Sequence, residues 1–115
     1  MMDDKLQVYI AQMLDAAISA TEYVEGYDKA DFLNDKRTQQ AVALNILIIG
    51  EVATKIDQNH SGFADAHSAV PWTSMRNMRN RIAHGYYELD FEVVWDTVSL
   101  SLPPLIDALN KLGHR

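Results

Sequence analysis

Arg79, His84 and Tyr86 stand in the order R-x4-H-x-Y, with Asn80 directly after the arginine and Arg76 and Arg81 close on either side. Cleaving RNA without a metal makes two demands on side chains. A ribose 2′-hydroxyl attacks its own phosphodiester, so a base that titrates near neutrality must take its proton. The charge that grows on the phosphate must meet a fixed cation. Histidine is the residue type suited to the first demand. The planar donor fork of arginine is suited to the second. On this reading His84 is the base, Arg79 the phosphate-binding cation, and Arg76, Asn80 and Arg81 hold the substrate. No Asp or Glu occurs from Ala66 to Tyr87, although the chain carries a formal net charge of -6 at pH 7. A structural helix face would intersperse the two signs, whereas this stretch is suited to an anion.

The spacing also sets a geometric condition. Positions 76, 80 and 84 follow one helix face at steps of four. Arg79 and His84 are five apart, about 140° around an ideal helix. They converge only if His84 sits at a fraying helix end beside Gly85, or if a second copy of the helix completes the site. The bland alternative is a solvated arginine face ending in a histidine that the helix dipole favours at a C-terminus. Glu51 has two readings as well: a surface pair with Lys55 one turn on, or support for an arginine of the site.

Four helical stretches position these residues. The first runs from about Asp4 to Tyr27, with Leu6, Ile10, Met13, Ala17, Ala20 and Val24 on one stripe. The linker DKADFLND follows, in which Asn34 or Asp35 caps the next helix, expected from about Lys36 to Gln58. Its middle, AVALNILIIGEVA, is apolar on nearly every side, which implies burial among other helices or in a dimer interface. Gly50 there costs roughly 1 kcal/mol of helix propensity relative to Ala, a cost that close approach of another backbone would offset. NHSGFADAHSAV reads as a loop, and Pro71 suits the first turn of a short third helix ending near Ala83, with Gly85 just beyond it. Asp90 caps the fourth helix, which Pro103 and Pro104 should kink or split. No stretch alternates with period two. The expected fold is an all-α bundle of four to five helices forming one domain over residues 1–115.

Composition narrows the setting. Hydrophobic residues at 48% and charged residues at 23% are ordinary globular values. The absence of cysteine excludes disulfides and thiolate metal sites and fits a reducing compartment. MMDDK lacks a positively charged region leading into an apolar run, so no signal peptide is expected, and no apolar run approaches the ~20 residues of a membrane helix. A cytoplasmic protein is expected. A pI near 5.0 argues against broad, charge-driven coating of nucleic acid, while a local basic site remains compatible with it.

MRNMRNRIAHGYYELD, together with the upstream IIGEVATKI and PW and the downstream VVWDTVSLSLPPL, resembles the HepT-like branch of the HEPN superfamily. The likeness runs from about Leu44 to Leu112, with R-x4-H-x-Y its most specific part. It implies a small dimerising α-helical bundle whose Arg79 and His84 form a metal-independent endoribonuclease site in the dimer cleft. It also implies a toxin paired with a minimal nucleotidyltransferase (MNT) antitoxin, which silences it by transferring AMP to Tyr86. RNA is then the substrate, the partners are a second copy and the antitoxin, and no cofactor or metal is needed. The runner-up is a non-catalytic module that grips a nucleotide or RNA phosphate and partners a nucleotidyltransferase. Tyr86 is expected at the mouth of the cleft beside Arg76, Arg79 and Arg81, and Tyr87 is expected to point elsewhere and pack. His60 and His67 read as loop residues rather than metal ligands, His114 as part of the tail, and Trp72 and Trp95 as core anchors.

Overall fold

Three of the four long helical stretches are started by a carboxylate placed to receive an orphan backbone N–H. In a computed structural model, which describes residues 3–113, Asp3 accepts from Leu6 N at 2.8 Å and opens α1 (Asp4–Tyr23). The apolar stripe of α1 is buried from Leu6 to Ala20. The helix stops four residues short of Tyr27 because Gly26 turns the chain with φ +80°, a left-handed conformation that glycine adopts without strain.

The linker is not plain loop. It forms a one-turn helix, α2 (Lys29–Leu33), closed by a reciprocal box in which Asp28 and Asp31 each accept the other's backbone N–H. Five residues are too few to show a periodicity, and D-x-x-D was its only signal. Phe32 of α2 is fully buried against Trp95, with ring centroids 5.6 Å apart. Asp35, one of the two expected caps, starts α3 (Lys36–Asn59) by accepting from Thr38 N at 3.1 Å. Its carboxylate also receives the Tyr27 hydroxyl at 2.6 Å and the Thr38 hydroxyl at 2.7 Å. These bonds hold the Asp35 carboxyl down at about 2, the Tyr27 hydroxyl contributing most.

Helix α3 is the centre of the bundle, touching α1, α2 and the later helices at Ser61–Ala66, Trp72–His84 and Phe91–Asp96. Val42, Ala43, Ile46, Ile49, Val52, Ala53 and Ile56 are buried on it. Its apolar circumference is nevertheless incompletely covered, for Leu44 is 55% exposed and Leu47 and Ile48 are only partly buried. The expected loop after α3 contains a short helix, α4 (Ser61–Ala66), which seats Ala64 in the core. Pro71 precedes α5 (Trp72–His84) rather than entering its first turn, and its carbonyl accepts from Met75 N at 3.1 Å.

A single 3-10 turn, Tyr86–Glu88, leads to Asp90, which caps α6 (Phe91–Asp96) through Glu92 N at 2.9 Å. Residues Thr97–Ser101 then widen into a π turn before α7 (Leu102–Gly113). Pro103 and Pro104 have no N–H to give the carbonyls of Ser99 and Leu100, and their rings crowd those carbonyls, so the turn ahead of them opens. The sequence expectation of a break is met as a widening rather than a kink. The all-α bundle thus has four long helical stretches, the last interrupted, with two short helices in the connections. No strand occurs among the described residues, and no described helix is long and apolar enough to cross a membrane.

Gly50 decides how α3 meets α5. A Cβ built there would lie 2.6 Å from the Met75 carbonyl oxygen and closer still to the Arg79 Cβ. Gly50→Ala should therefore lower stability by roughly 1–3 kcal/mol in urea unfolding, the usual cost of overpacking, despite alanine's better helix propensity. A variant more stable than wild type would show that the helices do not meet this closely. The depressed Asp35 sets a second expectation. A carboxyl lowered on folding contributes stability that is present above its unfolded value and lost as pH falls through about 2. Thermal melts should show Asp35→Asn less stable than wild type at pH 5, with the gap closing toward pH 2. An equal gap at both pH values would contradict the assignment.

Candidate functional site

The basic stretch is free of acids in sequence but not in space. Glu51 reaches from α3 across the Gly50 contact and accepts a short hydrogen bond from Arg79 Nε. No ion pair joins Glu51 to Lys55 among the described residues. The second arm of the Arg79 fork, Nη1, donates to Asn80 Oδ1 at 2.9 Å. Two of the three guanidinium nitrogens are thus occupied, and the plane is fixed against α3 with Nη2 left over. Asp57, two turns further along α3, stands 3.5 Å from Arg76, whose other nitrogen contacts the Thr73 hydroxyl at 3.4 Å. Arg81 has no ion pair among the described residues and is exposed.

His84 is the last residue of α5 and is exposed. It borders a cavity of about 400 Å³ with Arg81, Gly85, Glu88, Leu89 and Asp90. Arg79 is not among the residues that line this cavity. Gly85 ends α5 in an extended conformation, φ -163°, donating its N–H to Arg81 O at 3.2 Å, so its value here is small size and not a left-handed turn. A Cβ at Gly85 would come 3.0 Å from Glu88 Oε1. Arg76, Arg79, Asn80, Arg81 and His84 all sit on α5, yet one chain leaves Arg79 drawn toward α3 and His84 at the helix end.

Tyr86 follows on the 3-10 turn. Its ring is partly buried edge-on to Phe91, at 5.7 Å, and burial pushes its phenol above the ordinary tyrosine value, with Tyr87 adding to the shift. The groove it borders is lined by Asn34, Lys36, Gln39, Tyr87 and Phe91. Within one chain the 3-10 turn sets Tyr86 in the groove at the α2–α3 junction, and none of Arg76, Arg79 and Arg81 lines that groove. The expectation for Tyr87 is corrected. It is 94% exposed rather than packed, since the core beside it is filled by Phe32, Phe91 and Trp95.

The aromatic anchors behave as expected: Trp72 is buried with its indole N–H donating to His67 O at 3.1 Å, and Trp95 lies on Phe32. His67 stacks on Phe63 at 4.2 Å, and His60 stands 3.8 Å from Asp3. Among the described residues no group of three His, Cys, Asp or Glu side chains is placed to hold a metal. His114 lies outside the described residues.

Residues 13–112 match the family model described as Ribonuclease HepT-like. This chain belongs to the HepT-like family of the HEPN superfamily. It is 34% identical over 104 residues to "Probable ribonuclease HepT" of Thermococcus cleftensis, covering 90% of this chain and 92% of that one. It is 30% identical over 82 residues to "Putative RNase MJ0127" of Methanocaldococcus jannaschii, covering 71% and 65%. It is 28% identical over 97 residues to "Putative RNase TTE0752" of Caldanaerobacter subterraneus, covering 84% of each. No solved structure matches. The match takes in every residue of the R-x4-H-x-Y order and Glu51.

Sequence reasoning did not choose between Lys55 and an arginine as the partner of Glu51, because the arginine is 28 positions away. The contact yields a measurable coupling. A double-mutant cycle of Glu51→Gln and Arg79→Gln in urea should give about 1 kcal/mol, below the ~1.5–3 kcal/mol of fully buried charged bonds because both groups are partly exposed. Additive effects would mean that the two side chains do not pair.

Proposed function

We propose that this chain is a metal-independent endoribonuclease acting as a homodimer, the toxin of a HEPN/MNT toxin–antitoxin pair, silenced by AMP transfer to Tyr86. The observation that carries this reading is the R-x4-H-x-Y order running from α5 into the 3-10 turn after it, within the HepT-like match over residues 13–112. In the reaction, His84 takes the proton of the ribose 2′-hydroxyl as that oxygen bonds to phosphorus. The P–O5′ bond breaks, leaving a 2′,3′-cyclic phosphate and a 5′-hydroxyl strand whose oxygen is protonated by water or by the second copy's histidine. Arg79 stabilises the charge on the phosphate, with its plane set by Glu51 and Asn80. Arg76 and Arg81 hold the flanking backbone.

The second copy supplies what one chain leaves apart. Arg79 of one α5 and His84 of another can face one RNA phosphate without either helix bending. The partly uncovered Leu44, Leu47 and Ile48 of α3 provide apolar surface for the association. AMP transfer joins the Tyr86 oxygen to the α-phosphorus of ATP and releases pyrophosphate. Burial favours the protonated phenol, so the transferase must bring the base that removes its proton.

A non-catalytic module that grips phosphate and partners a nucleotidyltransferase draws on one observation: Glu51 already occupies Arg79 Nε. The assays separate the two readings. Light scattering should return twice 13.0 kDa. Cleavage should persist in EDTA and leave cyclic phosphate ends. His84→Ala should slow it by roughly two to four orders of magnitude, the range for a lost general acid or base. Arg79→Lys should also be damaging, since lysine lacks the bidentate fork. Binding without cleavage by the wild type would favour the module, and activity restored only by magnesium would defeat the mechanism. Tyr86→Phe should keep cleavage yet gain no AMP mass from the antitoxin and ATP. Equal labelling of both proteins would identify a different acceptor.

A further inference from the structure

Tyr87 is the most exposed large apolar side chain on the described surface, 94% open, and it has only one aromatic neighbour, Tyr86, edge-on at 5.9 Å. An aromatic ring left in water beside a groove is available to stack on a flat ligand. The groove is about 450 Å³, within the size range of small-ligand sites. Its other lining groups are complementary to the rest of a nucleotide. Lys36 has no ion pair among the described residues, so its ammonium is free for a phosphate. Asn34 and Gln39 both spend their amide N–H groups on backbone carbonyls, at 2.9 Å to Ala30 O and 2.9 Å to Phe32 O. Among the described residues nothing donates to either amide oxygen, so each is able to accept from the exocyclic amine of a base.

We propose that the groove between the α2–α3 junction and the 3-10 turn is a nucleotide seat. Tyr87 is the stacking platform for the base, Lys36 the phosphate partner, and the Asn34 and Gln39 oxygens the acceptors for an amino group. The seat lies on the opposite side of Gly85 in the chain from His84 and shares no lining residue with the cavity that His84 borders. Its nucleotide has two sources of the same chemistry: an adenylate linked to Tyr86, or one nucleotide of a bound strand. Only the first source rests on the proposed AMP transfer; the seat itself does not.

The probe is AMP titrated into the full-length, unmodified protein and followed by ¹H–¹⁵N NMR. Shifts should concentrate at Asn34, Lys36, Gln39, Tyr86 and Tyr87. Tyr87→Ala should weaken AMP by about 5- to 100-fold, the range for losing one stacked base, while Tyr87→Phe should bind as wild type does. Tyr87 is almost wholly exposed, so the alanine variant keeps its fold, which an unchanged spectrum elsewhere verifies. Lys36→Ala should weaken AMP and leave adenosine unchanged. Ribose 5-phosphate binding as tightly as AMP would overturn the stacking platform, and shifts confined to α5 or absent would overturn the seat. A deoxyadenylate oligomer, which offers no 2′-hydroxyl to cleave, separates the sources. If it displaces AMP, the seat serves the strand, and if the two bind together, it serves the tyrosine-linked nucleotide; both results uphold the seat. A protein that never cleaves RNA would leave these titrations intact, and a missing AMP response would leave cleavage untouched.

Discussion

The α3–α5 contact at Gly50 is the constraint on which the rest of the site depends. Without a side chain at that position, the backbone of α5 comes down onto α3 until the Met75 carbonyl and the Arg79 Cβ fill the space a methyl would take. The next residue along α3 is Glu51, and at that separation its carboxylate meets Arg79 Nε directly. A wider spacing would leave a half-exposed arginine free to sample many rotamers. The same approach brings Asp57 beside Arg76 two turns away. One missing methyl group thus converts two flexible cations into oriented ones, at the price of the helix propensity that glycine gives up.

Orientation of Arg79 has an electrostatic consequence. Glu51 offsets much of the Arg79 charge toward the α3 side. The remaining donor, Nη2, defines the direction from which an anion gains most. Arg81 differs, since no carboxylate pairs with it among the described residues, and together with His84 it lines a cavity that also holds Glu88 and Asp90. Acidic residues therefore border the basic helix on two sides. An anionic strand would meet attraction along a narrow path rather than across a broad basic face, in keeping with a net charge of -6.

The 3-10 turn after α5 separates two chemistries that are adjacent in sequence. Gly85 ends α5, and Asp90 then starts α6. Within this short passage His84 faces one cavity while Tyr86 and Tyr87 face another. Tyr86 is held by Phe91, itself packed near Phe32 of α2. The small helix α2, easily overlooked, is therefore what builds the wall of the tyrosine groove.

Much of this was legible in the residues alone. Helical periodicity located α1, α3, α5 and the final helix. Asp35 and Asp90 announced their caps because a short carboxylate before an apolar period has one common use. The R-x4-H-x-Y order identified the residues of interest, and the cost of Gly50 inside a helix pointed to close packing. The short helices α2 and α4 were not legible, since one or two turns carry no period. Local order also could not say where side chains go once α5 leaves its axis at Gly85, so Tyr87, expected to pack, stands exposed. The acid-free run from Ala66 to Tyr87 was real in sequence, yet Glu51 and Asp57 come to it from α3, 28 and 19 residues before the arginines they meet. Sequence determines which charges a helix carries and on which face. Only the packing of one helix on another decides which opposite charges meet them, because that distance is set by the side chains, and here by the lack of one, at the contact.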